Sequence, residues 1–228
     1  MDIIVSLTSW SKRIEQAKAT VDSIINQSRK PDRVELNLDV ENFPRGFGDT
    51  PDWVKEYTEK YENFYVYFNL KDLKVYSKLV PTIVRHAGEQ YILVTLDDDV
   101  TYPDKYLEEI EINMKDCDWL CTKSNEFTMG QYMVYGPSAI TAFLMEIDMD
   151  LIENVPLDDH ALFWIMHKYK LKRGKKTSSE AEDRQAGYSF RRMFVHTDKP
   201  EELLDTSCGY PQEQFEKERD YMHKKGII

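Results

Sequence analysis

Residues Tyr91 to Leu96, YILVTL, run without a break into three aspartates, Asp97, Asp98 and Asp99. An apolar run of this length with no polar alternation calls for a strand covered on both faces, as in a parallel sheet sandwiched between helices. Three adjacent carboxylates repel one another and destabilise a fold unless water or a cation offsets them. A strand end aimed into a ligand cleft meets that need. On an extended backbone Asp97 and Asp99 share a side, so together they can hold one divalent cation that bridges a diphosphate. An acidic turn facing water is the plainer alternative, and the apolar run directly before the triple counts against it.

The segments upstream have the same form. Ile3 to Leu7 reads as a buried strand emptying into the polar turn Thr8-Ser9-Trp10-Ser11, after which Ile14, Ala17, Val21, Ile24 and Ile25 recur at helical spacing until Pro31. Val34 to Leu38 alternates as a strand and ends at Asp39. A βαβ unit of this length places Thr8, Ser9 and Asp39 at one carboxyl edge, where open α/β sheets bind ligands. A Pro- and Gly-bearing loop over 42–52 precedes a helix at Trp53–Tyr61, a strand at Phe64–Phe68 and a helix at Tyr76–His86, with Pro81 near its start.

Downstream, Asp104–Met114 and His160–Tyr169 read as helices and Trp119–Thr122 as a strand. Asp158-Asp159 stands at the start of the second helix, where one Asp can serve as N-cap and favour the positive end of the dipole. That role accounts for one carboxylate of the pair and leaves the other for chemistry. Residues 170–187 are polar, which predicts a mobile loop that closes over a ligand. The sum is a single α/β domain over 1–228, with a mostly parallel or mixed sheet and helices on both faces. Its first half spans about 1–103 and its second about 104–228.

At 228 residues, with 41% hydrophobic residues, the chain is long enough for a sizeable core. A formal net charge of -11 argues against non-specific nucleic-acid binding, which relies on Lys and Arg. A phosphorylated small molecule stays admissible, because a bound cation can invert the local field. Cys117, Cys121 and Cys208 are odd in number and lack metal-site spacing, so they read as reduced thiols. With no leader and no transmembrane run, the sequence predicts a soluble, cytoplasmic protein.

The stretches IIVSLTSWSKRI (3–14), INQSRKPDRVELNLDVENFP (25–44), YSKLVPTI (76–83), ILVTLDDDVTYPDKYLEE (92–109) and PLDDHALFW (156–164) follow one another in an order that resembles small bacterial glycosyltransferases of GT-A fold, family 2-like and DxD-containing. The likeness runs from about Ile3 to Tyr169 and fades in the C-terminal quarter. It implies a Rossmann-like GT-A sheet, a nucleotide-binding half over about 1–103 and an acceptor-binding half over about 104–228, a nucleotide-sugar donor with UDP favoured, a saccharide or glycolipid acceptor, and Mn²⁺ or Mg²⁺ as cofactor. By the same likeness Asp97 contacts the nucleoside and shares the metal with Asp99, while Asp98 shares either task. Thr8 and Ser9 line the nucleotide edge, Arg13 meets base or phosphates, Asp39 accepts a hydrogen bond from the base, and Lys78 lies near the phosphates. Of Asp158 and Asp159, the latter is implied as the general base of an inverting transfer, and His196 as a further metal ligand.

Two other readings compete. LVTLDDDVT also fits the opening motif of haloacid-dehalogenase-like phosphatases, with Asp97 as nucleophile and Asp99 as acid/base. Such a motif usually opens its domain, whereas here nearly a hundred residues precede it. The other is a non-catalytic nucleotide-sugar-binding protein that keeps the fold without turnover.

Overall fold

Four parallel strands make the nucleus of the sheet: β1 (Asp2–Thr8), β2 (Arg33–Asp39), β3 (Phe64–Asn69) and β4 (Tyr91–Leu96), in the order β3-β2-β1-β4. The computed structural model describes residues 1–121, 132–174, 182–183 and 212–228. Beyond β4 the sheet turns antiparallel. A short β5 (Val100–Thr101) leaves it, β6 (Trp119–Cys121) forms its far edge, and β7 (Tyr132–Tyr135) pairs with both β4 and β6. β5 pairs separately with β8 (Glu182–Asp183). The mixed six-stranded sheet agrees with the α/β expectation.

Side-chain alternation along these strands divides the core into two layers. Ile3, Val5 and Leu7 of β1 point to the same layer as Leu36 and Leu38 of β2 and Val94 and Leu96 of β4. That layer is covered by α1 (Ile14–Ile25), α2 (Asp52–Lys60) and α4 (Tyr106–Asn113). Ile4, Tyr91 and Leu93 face the second layer, made by α3 (Val80–Arg85), α5 (Pro137–Glu146), the short α6 (Met149–Asn154), α7 (Asp158–Lys168) and α8 (Gln212–Lys224). Each fully buried Leu, Ile or Phe in these layers contributes about 1.5–3 kcal/mol relative to exposure. In α7, residues 160–166 are all buried, so the helix is wrapped on every side and runs through the second layer.

Three local outcomes differ from the sequence pattern. The helix expected over Tyr76–His86 is two pieces, a 3-10 turn over Lys74–Lys78 and then α3, because Pro81 fits only the first turn of a helix. Asp158 is not the N-cap of α7. Leu157 holds that position without a side-chain cap, and both aspartates sit in the first turn, where their charge still complements the dipole. The polar face of β2 is not solvated either: Glu35 and Asn37 are both 0% exposed. Glu35 accepts hydrogen bonds from Arg33 (2.6 Å), Arg85 (2.5 Å) and Thr82 (2.8 Å), and lies 2.9 Å from His86 Nε2. Thr82 Oγ1 meets Ser6 and Asn37 at 3.0 Å each, so α3 is fastened to the sheet by polar contacts as well as by Ile83.

Candidate active site

A cleft of about 710 Å³ opens at the carboxyl ends of β1, β2 and β4. It is lined by Thr8, Ser9, Arg13, Asp39, Lys78, Asp97, Asp98 and Asp99, the whole set assigned to the nucleotide side from sequence. They arrive together because parallel strands end at one edge and the turns after them carry the polar residues. The turn after β1 is held by the Arg13 and Ile14 N–H groups donating to the Trp10 carbonyl, which starts α1 and brings Arg13 back over the strand ends.

The three aspartates are not equivalent. Asp98 is turned inward, accepting from Ser9 Oγ at 2.6 Å and from Arg13 Nη2 at 2.5 Å. Burial pushes its carboxyl up, the Ser9 hydrogen bond and Arg13 charge only partly offset this, and the charges of Asp99 and Asp97 add to the rise. Asp97 and Asp99 are the open ones, with side chains 37% and 19% exposed. Arg13 Nη2 also reaches Asp99 at 2.8 Å, and Lys78 Nζ reaches Asp97 at 3.0 Å.

Lys78 has a second partner, Asp158, at 3.5 Å. The lysine is 13% exposed and the aspartate 9%, so a shielded ammonium links the end of β4 to the start of α7. Burial opposes charge on Lys78 but is outweighed by Asp158, Asp97 and Asp159, which hold its ammonium well above the ordinary range. Burial pushes the Asp158 carboxyl up, with Lys78 pulling the other way and Asp97 adding to the rise. Tyr76 Oη donates to the Val155 carbonyl at 2.7 Å and fixes the same corner. Neither Asp158 nor Asp159 lines the cleft itself. Asp158 joins it through Lys78, and Asp159 is the more open of the two.

Two assignments from sequence change in detail. The hydroxyls of Thr8 and Ser9 are engaged within the protein, Thr8 donating to the Asn37 carbonyl at 2.7 Å and Ser9 to Asp98. Asp39 is held by Asn42, whose backbone N–H donates at 2.8 Å and whose amide donates at 3.0 Å to both carboxylate oxygens. His196, Cys208 and most of the 170–187 loop lie outside the described residues.

The sequence reading missed a wing of the cleft made by Trp10, Asn42, Asp72, Lys74 and Val75. Trp10 is 43% exposed, with Lys12 Nζ 5.2 Å from its ring centroid, while Trp53, Trp119 and Trp164 are buried. Its position two residues beyond a buried strand was the signal available for it. Asp72 and Lys74, which pair with each other, sit in a turn where Lys74 has φ +56°, a left-handed conformation uncommon for a residue with a side chain. Nothing in the local sequence marks that turn.

Oxygen-only ligands such as these suit a hard divalent cation, Mn²⁺ or Mg²⁺. Asp97 and Asp99 fit the part of two carboxylate ligands open to the cleft. Among the described residues no group of three His, Cys, Asp or Glu side chains forms a metal-binding set.

No family model matches the chain, and no curated protein matches it. Solved structures do. The mannosyltransferase PcManGT from Pyrobaculum calidifontis, in complex with GDP-Man and Mn²⁺, superposes with a TM-score of 0.55 at 13% identity, covering 75% of this chain and 53% of that one. S. aureus TarS 1–349 superposes with a TM-score of 0.53 at 12% identity, covering 76% and 57%. A 4-diphosphocytidyl-2C-methyl-D-erythritol synthase from Anaerococcus prevotii follows at a TM-score of 0.46, 11% identity and 76% and 87% coverage, too distant to carry weight. The fold is therefore the Rossmann-like α/β arrangement of the GT-A type, and the chain spans just over half the length of the first two neighbours.

Proposed function

We propose that the protein is a metal-dependent glycosyltransferase that moves a sugar from a nucleotide-diphosphate donor, UDP-sugar favoured, to a saccharide or glycolipid hydroxyl with inversion. The observation that carries this reading is the meeting of Asp97, Asp98 and Asp99 with Arg13 and Lys78 around one cleft at the carboxyl edge of a GT-A sheet. The GDP-Man and Mn²⁺ bound by a neighbour of the same fold add support.

In this reading Asp97 and Asp99 would hold the cation, which when bound would supply positive charge to offset that of the diphosphate leaving group. Arg13 and Lys78 supply N–H donors to the phosphate oxygens. Asp39, flanked by Asn42, accepts from the base, and the exposed indole of Trp10 offers a flat surface beside it. Asp159 accepts the proton of the acceptor hydroxyl, and Asp158, buried against Lys78, sets the start of α7. Among the described residues no helix is long and apolar enough to cross a membrane.

Thermal unfolding with UDP, GDP and other nucleotides, each with and without Mn²⁺, tests the donor class, because a ligand selective for the folded state raises the midpoint by mass action. A nucleotide diphosphate with Mn²⁺ should stabilise the wild type and leave Asp99→Ala unmoved. Stabilisation by no nucleotide at saturating concentration removes the reading.

A further inference from the structure

We propose that Arg13 and Lys78 are resident counter-cations of the aspartate triple, keeping Asp97 and Asp99 from taking up a divalent ion until a diphosphate draws the two basic side chains away. The inference rests on the donor class proposed above and goes beyond it by fixing the order in which the site fills.

Each open carboxylate already has a basic partner within contact distance: Asp97 has Lys78 at 3.0 Å and Asp99 has Arg13 at 2.8 Å. A divalent ion using the same oxygens would lie a few ångströms from two positive charges, and in a partly shielded site their repulsion is weakly screened. Lys78 cannot simply swing into water, because it is 13% exposed and lies between Asp97 and Asp158. The metal alone therefore meets two open carboxylates whose charge is already partly offset by a basic side chain each.

A diphosphate changes that balance. Its oxygens can accept the N–H groups that the carboxylates now hold, and Arg13 Nε, buried and without a hydrogen-bond partner among the described residues, is a further donor. As the ammonium and guanidinium move onto phosphate, Asp97 and Asp99 are freed for the cation, so metal and nucleotide enter as a unit. Linkage requires the converse with the same factor: Mn²⁺ strengthens nucleotide binding as much as nucleotide strengthens Mn²⁺ binding, typically ~5–150-fold for coupled sites.

Free Mn²⁺ followed by electron paramagnetic resonance, without nucleotide, separates this from a lysine that merely binds phosphate. Lys78→Met and Arg13→Met should each bind Mn²⁺ alone about 10-fold more tightly than the wild type, because a competing charge is gone. In calorimetry both should bind UDP with Mn²⁺ more weakly. Lys78→Arg keeps the charge and should bind Mn²⁺ alone as weakly as the wild type, and cooperative melting verifies that each variant is folded. Unchanged or weaker Mn²⁺ binding in both Met variants overturns the proposal, as does a wild type that binds UDP yet takes up Mn²⁺ equally well with and without it. If UDP fails to bind the wild type, the donor reading falls, while tighter Mn²⁺ binding by the Met variants still supports the counter-cation role on its own.

Discussion

Asp158 and Asp159 are adjacent in sequence and sit in the same helical turn, yet their surroundings separate them. Asp158 is 6% exposed and its carboxylate is committed to Lys78, whereas Asp159 is half-buried and more open to an approaching hydroxyl. A general base must be reachable by the acceptor hydroxyl, which favours Asp159. Asp159→Asn should leave binding of UDP and Mn²⁺ nearly intact and lower transfer by at least ~100-fold, since a general base contributes on that order. Parallel calorimetry and turnover measurements check this, with NMR of the product's anomeric centre reading inversion. Full activity in Asp159→Asn with loss in Asp158→Asn would move the base to the buried partner.

At the scale of elements, α3 is held to the sheet by a buried carboxylate. Burial alone would push the Glu35 carboxyl up, but hydrogen bonds from His86 and Arg33, the Arg85 charge and Thr82 outweigh it and hold it below the ordinary carboxylate range. A depressed folded value means that the stabilisation is present above the unfolded value and is lost as pH falls through the folded one. Glu35→Gln should cost about 3 kcal/mol by urea denaturation at neutral pH, the low end for a broken buried pair because Arg33 and Arg85 are each 24% exposed. The difference from wild type should shrink in acid, and a pH-independent difference would show that Glu35 stabilises by packing alone. This element also shows where the sequence was legible. Strands β1 and β4 and the residues at their ends could be read from apolar runs, because burial on both faces writes itself into nearly every position, whereas the edge strand β3, where only Phe64 is buried, showed through its aromatic and β-branched residues. The burial of Glu35 and Asn37 could not, since their partners Arg85, His86 and Thr82 come from a helix some fifty residues away. The same holds for the Lys78–Asp158 contact, 80 positions apart in sequence, and for the turn at Lys74, whose backbone conformation leaves no mark in residue type.

Across the whole molecule the C-terminal helix closes the second layer, in the part of the chain where the family resemblance fades. Helix α8 brings Phe215, Met222 and the following Ile227, exposed by 2%, 0% and 2%, into the core beneath α7. Its polar side is tied down as well: Glu218 Oε2 lies 2.7 Å from His160 Nδ1, Tyr221 donates to Asp150 at 2.6 Å, and Lys225 to Asp148 at 2.5 Å. His160 follows Asp159 directly, so the helix that carries the proposed base is packed against a segment more than fifty residues further along the chain. An appended tail would melt separately at little cost, whereas a member of the core must melt with the rest. Phe215→Ala should therefore destabilise the entire protein by about 3–5 kcal/mol, the range for deleting a buried aromatic ring, in a single transition seen alike by far-ultraviolet dichroism and by the fluorescence of the buried tryptophans. Lys225→Ala, whose ion pair is with a half-exposed Asp148, should cost no more than about 1 kcal/mol. A loss below about 1 kcal/mol for Phe215→Ala, or a first transition that leaves the tryptophan signal unchanged, would show that α8 lies outside the cooperative unit and that the sheet with its acidic cleft folds without it.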